Sequence, residues 1–535
     1  MYECPNCGGN LRFNIATQQL SCGYCDTSIN PYDYEKSTDV QESREYDVTV
    51  FTCSQCGAEL LSEDTTAATF CSFCGSTAVL DSRISRKRRP ERIIPFSRTK
   101  EDCKTAYARM MRRAVFAPKE LKDEAYIEKF RGIYMPYWVY SFENRGRISF
   151  EGSESRQRGD YLYTKHYEIT SDIDAAYHGI TYDAAADFSD DLSSAIAPFD
   201  MTKGKPFTPA FLSGFYADIG DVDSSVYHRD AQNLALMDSV DRIANDRACV
   251  RYHVRDGKNI HSLKNALRPS CTREQSAMLP VWFLSYRKGD RVAYAVVNGQ
   301  TGKAAADLPV DRKKFVIGSL LLAIPLFLFL NLRFTITPAI TLIFSALLAC
   351  VCTAVSVYQM IRISVREARE DDKGFVFAQQ DAGKQGSYGN TGNNGKGKKA
   401  KVRVAGIDVS RILIIVLLIG VINVGGFVRV VDALLGGIIL SIVYWTVIVG
   451  VVIAFILKKY MKTLKGALPV LIKPMAAVVL AVAVLIWHPV SDLYYYGGAV
   501  ISMGAIVWTL MDIIGRYNVL STRKLPQLNR RGGDL

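Results

Sequence analysis

Apolar and polar positions divide the chain near residue 311. Before that point apolar residues recur on the short periods of soluble helices and strands, and after it they merge into long runs without charge. Residues 315–332 are all uncharged, close to the roughly 18 residues that carry a helix across the hydrocarbon core of a bilayer. Five further predominantly apolar runs follow at 336–358, 412–428, 433–457, 468–487 and 490–514. The pattern therefore predicts a transmembrane hairpin over 315–361 and four further membrane helices over 411–515. The run 412–428 is the shortest and holds Asn423-Val424-Gly425-Gly426; a re-entrant course there would reduce the count to five and move the C-terminus across the membrane.

Basic residues orient these helices. Segments 312–314, 362–411, 458–473 and 516–531 carry 24 Lys and Arg, against two in the loops between them. Such asymmetry places the basic side, and with it both termini, in the cytoplasm. The loop 362–410 contains a Gly/Asn/Lys-rich stretch expected to be disordered, and 516–535 reads as a basic cytoplasmic tail. Asp432, Lys473, Asp492 and Asp512 lie toward the ends of spans, which weighs against ion-coupled transport. Gly436-Gly437 and Gly497-Gly498 suit close helix packing.

Residues 99–311 read as an α+β cytoplasmic domain with an antiparallel sheet. Cys103, Ala106, Tyr107, Met110, Met111 and Ala114 fall at helical spacing with Lys104, Arg109, Arg112 and Arg113 opposite, a helix that Pro118 ends. A second helix is predicted over 224–247, with Leu236, Met237, Val240, Ile243 and Ala244 inward. Residues 135–142, MPYWVYSF, match 279–286, LPVWFLSY, at an offset of 144, which suggests two related halves sharing a sheet. Each copy opens a predicted hairpin, 142–150 turning at 144–146 and 286–297 turning at 288–290. Alternation puts Trp138, Tyr140 and Phe142 on one face and Trp282, Leu284 and Tyr286 on its equivalent, either as core or as the wall of a ligand groove. The turn at 298–303 reads as a rigid joint before the membrane.

Thirteen cysteines then change the picture. Cys4, Cys7, Cys22 and Cys25 recur, shifted by 49, as Cys53, Cys56, Cys71 and Cys74. Each copy reads C-x2-C-x14-C-x2-C, a four-thiolate zinc spacing, so residues 1–30 and 50–80 are predicted to be tandem zinc ribbons, small β units too short to fold without metal. Two Zn2+ ions per chain are expected, with rubredoxin-like iron as the alternative for tetrahedral sulfur. Gly8, Gly57 and Gly75 supply the residue that turns each knuckle, and Asp26 stands at that place in the remaining one. The start of the chain lacks the basic and apolar regions of a secretory signal, so the ribbons are expected in the reducing cytoplasm, where thiols serve as ligands more than as disulfides.

Charge decides among partners. Residues 1–80 hold eleven acidic and three basic side chains, a surface that repels phosphate. Residues 83–113 hold twelve basic and three acidic ones. The segment 81–98 therefore reads as a basic linker that is solvated, docks on the ribbons, meets anionic lipid or contacts nucleic acid. The expected partners are the lipid bilayer and proteins held by the ribbons or aromatic hairpins, with a further copy of the chain as another; nucleic acid is disfavoured. The whole-chain averages, 49% hydrophobic and net charge +12 over 535 residues, blend these blocks.

Catalytic patterns are scarce. His166, His178, His228, His253 and His261 form no H-E-x-x-H, and no G-x-S-x-G occurs. Residues 392–399 imitate a phosphate loop, but Lys399 stands where a Ser or Thr would hold Mg2+. Asp187, Asp190 and Asp191 read as helix-start residues, and Cys249 and Cys271 as buried thiols. An enzyme reading has no motif to carry it.

The cysteine pairs, Ile94-Pro95-Phe96, Tyr134-Met135-Pro136-Tyr137-Trp138, Leu279-Pro280-Val281-Trp282 and the 297–303 turn together resemble a bacterial family of membrane proteins with a transcription-factor-IIB-type zinc ribbon, common in Gram-positive bacteria. The resemblance covers about 1–314. Some relatives carry labels borrowed from primosomal helicases, but this chain lacks a Walker loop and a helicase core. The resemblance implies zinc at the eight cysteines and no particular activity. The reading that results is a multi-pass inner-membrane protein with a cytoplasmic binding or scaffolding module. The alternatives are a transporter or channel with a regulatory zinc head, a membrane-tethered nucleic-acid binder, and a membrane-bound enzyme.

Overall fold

Strands begin where the sequence alternates. A computed structural model of the chain describes residues 2–37, 45–56, 58–61, 71, 73–74, 80–218, 220–333, 337–369, 371–377, 468–487 and 489–524. In β1 (Leu11–Asn14) Leu11 and Phe13 are buried while Arg12 and Asn14 are exposed. Its pairing with β2 (Gln19–Cys22) sets Leu11 opposite Cys22, and β3 (Ser28–Ile29) completes a three-stranded antiparallel sheet. The short α1 (Pro31–Ser37) follows.

The second cysteine group rests on a different framework. Its strands β4 (Glu45–Cys53) and β5 (Glu59–Leu61) join the large central sheet, as does β6 (Leu80–Arg88). Residues 81–88 of the expected linker are thus strand, and the register sets Glu45 opposite Arg88 and Asp47 opposite Arg86. The acidic and basic runs face each other along one ladder, a pairing across some 40 residues that local patterning does not reveal.

The central domain continues with β7 (Arg92–Ile93), α2 (Lys100–Arg113), α3 (Glu124–Ile127), β8 (Arg131–Arg158), β9 (Tyr161–Asp183), α4 (Asp190–Ile196), β10 (Lys205–Pro206) and β11 (Tyr216–Ala217). After these come α5 (Ser225–Ala244), α6 (Gly257–Ala266), β12 (Ser270–Lys288), β13 (Arg291–Asn298) and β14 (Ala304–Ala306). A capping box starts α2: the Thr99 hydroxyl accepts from the Asp102 N–H, and the Asp102 carboxylate accepts from the Thr99 N–H. In α5 the buried stripe is Tyr227, Ala231, Ala235, Ser239, Val240 and Ala244, and Met237 faces outward. Of the residues expected inward, Val240 and Ala244 are buried and Leu236 and Ile243 pack partly buried against the same core as Val240, while the small residues Ala231, Ala235 and Ser239 let the helix lie close to the sheet.

The central sheet runs β10-β7-β12-β8-β11-β5-β4-β6, with β9 also on β8, β13 on β12 and β14 on β13. The repeated segments pair with each other: Met135 lies opposite Leu279, Tyr134 opposite Pro280 and Pro136 opposite Met278. Met135 and Leu279 are the equivalent residues that face each other, and the flanking pairs are related by a local two-fold through them. The hairpin expected to turn at 144–146 does not turn there. Its strand runs on to Arg158 and reverses at Gly159-Asp160, because Arg145–Asp174, Arg147–Asp172 and Ser149–Glu168 contacts extend the ladder past the Gly-containing stretch. The second hairpin turns at Gly289-Asp290 as expected.

Both faces of this sheet are buried. Met278, Trp282, Leu284, Ala293 and Val297 share one core with Cys103, Tyr107 and Met111 of α2, and Met135, Tyr137, Leu279, Phe283 and Val296 share the other with Leu192 and Ile196 of α4. The aromatic strands are core, not groove: Tyr140 and Phe142 are fully enclosed, Trp282 is 5% exposed, and its indole N–H donates to the Arg98 carbonyl.

Beyond the domain, α7 (Arg312–Arg333), α8 (Pro338–Glu367), α9 (Leu468–Trp487) and α10 (Asp492–Leu520) overlie four of the six expected spans. The other two, 412–428 and 433–457, lie outside the described residues, as does the Gly/Asn/Lys-rich stretch. Among the described helices, α8 and α10 are long and apolar enough to cross a membrane. They pack with α9 through Leu342, Ala481, Val484, Tyr495 and Ala499, while Leu321, Phe344, Ile501 and Trp508 stay exposed. Strand β15 (Arg523–Lys524), directly after α10, adds to the edge of β13.

Candidate metal centres

Each cysteine group is assembled by chain reversals. Cys4 and Cys7 lie in the turn before β1, and Cys22 and Cys25 at the end of β2 and the turn after it. The Cys4 N–H donates to the Gly9 carbonyl, the Cys22 N–H to Thr27 and the Cys53 N–H to Ala58, so three knuckles share one backbone pattern. Gly8 adopts φ 72° and Asp26 φ 56°. The aspartate thus takes the left-handed conformation that glycine takes in its counterpart, at the modest cost Asp pays there.

Within the first group Cys4 Sγ lies 3.5 Å from Cys25 Sγ and Cys7 Sγ 3.4 Å from Cys22 Sγ. In the second, Cys53–Cys74 and Cys56–Cys71 stand at 3.8 and 3.7 Å. A tetrahedron with zinc–sulfur bonds of about 2.3 Å has edges of about 3.8 Å, so both groups are close to the size of one ion. All sulfurs in a group lie within 4.8 Å of one another. Backbone N–H groups of Asn6 and Cys7 donate toward Cys4, Gly9 toward Cys7, and Ala58 toward Cys56, the outer contacts that a thiolate cluster uses to spread its charge. The Thr27 hydroxyl, 3.0 Å from Cys25 Sγ, with the Thr27 N–H holds that thiol down to about 6. Cys71 is pushed far up by Cys53, Cys56 and Cys74 crowding it; a divalent cation relieves this by replacing protons.

Each group could hold one metal ion, and four-sulfur donation suits zinc. The sequence pairing of all eight cysteines is matched by their positions in space. Their setting was not legible: Cys4 and Cys22 belong to the core on one face of the central sheet, and Cys53, Cys56, Cys71 and Cys74 to the core on the other. Phe13 packs edge-on to Phe211 at 5.2 Å, and Phe73 lies 5.7 Å from Phe283.

Asp190 and Asp191 lie in the first turn of α4, as the helix-start reading expects, and together with Asp187 they also make contacts beyond that helix. Asp190 accepts from the Tyr227 hydroxyl at 2.6 Å and from the Lys373 N–H at 3.0 Å, Asp191 meets Arg366 at 3.5 Å, and Asp187 meets Arg369 at 3.7 Å. They hold the chain that leaves α8. Nearby, Arg366 pairs with Asp307 at 3.1 Å and Arg291 with Glu367 at 3.1 Å. Asn518 and Val310 exchange two hydrogen bonds, of 2.7 and 2.8 Å. These contacts between the domain and the ends of α8 and α10 were absent from the sequence reading, whose only signal was the charge excess beside each span.

No protein-family model and no solved structure matches the chain. A protein of Bacillus subtilis (strain 168), described as the uncharacterised protein YdjG, is 29% identical to it over 318 residues, which is 58% of this chain and 91% of the relative.

Proposed function

We propose that the chain is a multi-pass bacterial inner-membrane protein whose zinc-ribbon head is a binding or scaffolding module on the cytoplasmic face, with both zinc ions in structural roles. The observation that carries this reading is the closure of both cysteine groups: four sulfurs converge in each, embedded in the two cores of one sheet. A four-thiolate ion has no position left for substrate, so it stabilises and does not catalyse. Exposed apolar residues on α7, α8 and α10 support burial of these helices in lipid, and the 24-to-2 distribution of basic residues supports a cytoplasmic head. The ends of α8 and α10 meet the same domain from which α7 departs, which supports an even number of crossings. A C-terminal reporter active only outside the cytoplasm should stay silent. Proximity labelling from the head should recover protein partners that are lost in Cys4→Ser and Cys53→Ser chains; an unchanged set would overturn the scaffold reading.

A second reading, a transporter or channel with a regulatory head, rests on one contact, the 2.9 Å ion pair between Lys473 of α9 and Asp512 of α10, which joins the two helices but lies toward the span ends. Reconstituted vesicles showing flux that Asp512→Asn abolishes would establish it. The acidic ribbons disfavour nucleic-acid binding, and a low-salt mobility shift with RNA or DNA would revive it.

A further inference from the structure

Cys271 and Glu274 stand three residues apart on β12, a separation that puts side chains of a regular strand on opposite faces. Here the ladder is irregular: Cys271 lies opposite Phe142, Arg273 opposite Ser141 and Glu274 opposite Tyr140. Thr272 is therefore the extra residue of a β-bulge. The bulge brings Cys271 and Glu274 onto the one face that carries Tyr140 and Phe142, whose rings stack 6.4 Å apart. His228 of α5 lies over the same face, edge-on to both rings at 6.1 and 5.8 Å, with Nδ1 3.5 Å from Glu274 Oε2. One donor atom from each of His228, Cys271 and Glu274 falls within 4.8 Å of the other two.

We propose that His228, Cys271 and Glu274 form a third metal site, separate from both ribbons, that binds a zinc-class divalent cation and keeps a fourth position open. Imidazole and sulfur beside one carboxylate select zinc, cobalt, nickel or copper over magnesium and calcium, which prefer all-oxygen shells. Three protein ligands are the number found where a zinc ion retains an exchangeable water. The Tyr140 hydroxyl is committed to the Ser224 carbonyl, so the aromatic rings wall the site without competing for the ion. Cys271 is exposed, against the expectation of a buried thiol, and its sulfur makes one long contact, 3.6 Å to the Arg273 carbonyl. The histidine and cysteine were passed over in the sequence because they lie 43 residues apart and the bulge has no local signature.

The test uses the full chain in detergent, equilibrated with micromolar Zn2+ and freed of excess. Three zinc per chain are expected, with two in His228→Ala and in Glu274→Gln. Both ribbon ions should stay in His228→Ala and Glu274→Gln; a native chain holding fewer than two zinc fails the ribbon reading, and one holding two fails this one, so the two failures are told apart. As a second readout, Zn2+ should slow iodoacetamide alkylation of Cys271 by about tenfold or more in the native chain and not in His228→Ala. Loss of the third ion in the variants together with this protection establishes the site. Two zinc in the native chain, or alkylation indifferent to Zn2+, overturns it.

Discussion

Asp183 shows at the scale of one residue what the head's burial costs. Its side chain is 2% exposed, and one carboxylate oxygen has no hydrogen-bond partner. Burial, then the charge of Asp190, pushes it well above the usual carboxylate range. Burial likewise raises Asp187 to about 7 and Asp372 to about 6, against the pull of Arg369 on both. A carboxyl whose pKa rises on folding keeps its proton longer in the native state, so stability is greatest below the unfolded value near 4 and falls as pH rises through the folded one. The melting temperature should therefore decline between pH 5 and pH 8. Asp183→Asn should flatten that decline and raise stability at pH 8 by about 1–3 kcal/mol; thermal unfolding with no pH slope would contradict the account. None of this is visible in the sequence, where Asp183 is one acid among 53 Asp and Glu. The cysteine ligands are the opposite case, because x2 and x14 spacings encode turn and hairpin lengths that bring the sulfurs together.

Elements repeat the contrast between local and distant causes. The amphipathic pattern of α2 and the turn of the β12–β13 hairpin were readable, since spacing of three to four residues or a Gly-Asp pair determines them. The β8–β9 hairpin was misread because Asn144-Arg145-Gly146 looks like a turn until its partner strand is known, and Gly146 keeps a positive φ of 134° within the ladder. The glycine pair in α10 divides the same way. A Cβ on Gly498 would stand 3.3 Å from Leu342 Cδ1, whereas one on Gly497 would meet nothing within 4 Å. Gly498→Val should thus cost about 1–3 kcal/mol through overpacking against α8, and Gly497→Ala should gain up to about 1 kcal/mol of helix propensity. Denaturant unfolding in mixed micelles separates the two; equal effects would mean that α8 and α10 do not pack at Gly498.

For the whole molecule, the ribbons are walls of the central domain and not appendages. Because the two cysteine groups sit in the two cores that sandwich the sheet, metal removal should reach well past residue 80. A strong chelator is expected to abolish amide protection in β8 and β12 along with that of the ribbons, read by hydrogen exchange, and to lower the melting temperature of the head as one transition. Protection in β12 that survives complete loss of metal would show the ribbons to be independent units. Two cysteine groups, a strand-rich segment and apolar helices are legible along the sequence in that order, but how the first pack on the second is not, since that depends on contacts such as Phe13 with Phe211 across nearly 200 residues.

The attachment of α10 has a mechanical meaning. Asn518 in its last turn clasps Val310 just ahead of α7, and β15 extends the β13 edge after only two further residues, Ser521-Thr522. A displacement of α10 therefore reaches β13 through that short connection, and β12 through the β13 ladder. The last helix is thereby linked to the same strands that border both cysteine-bearing cores.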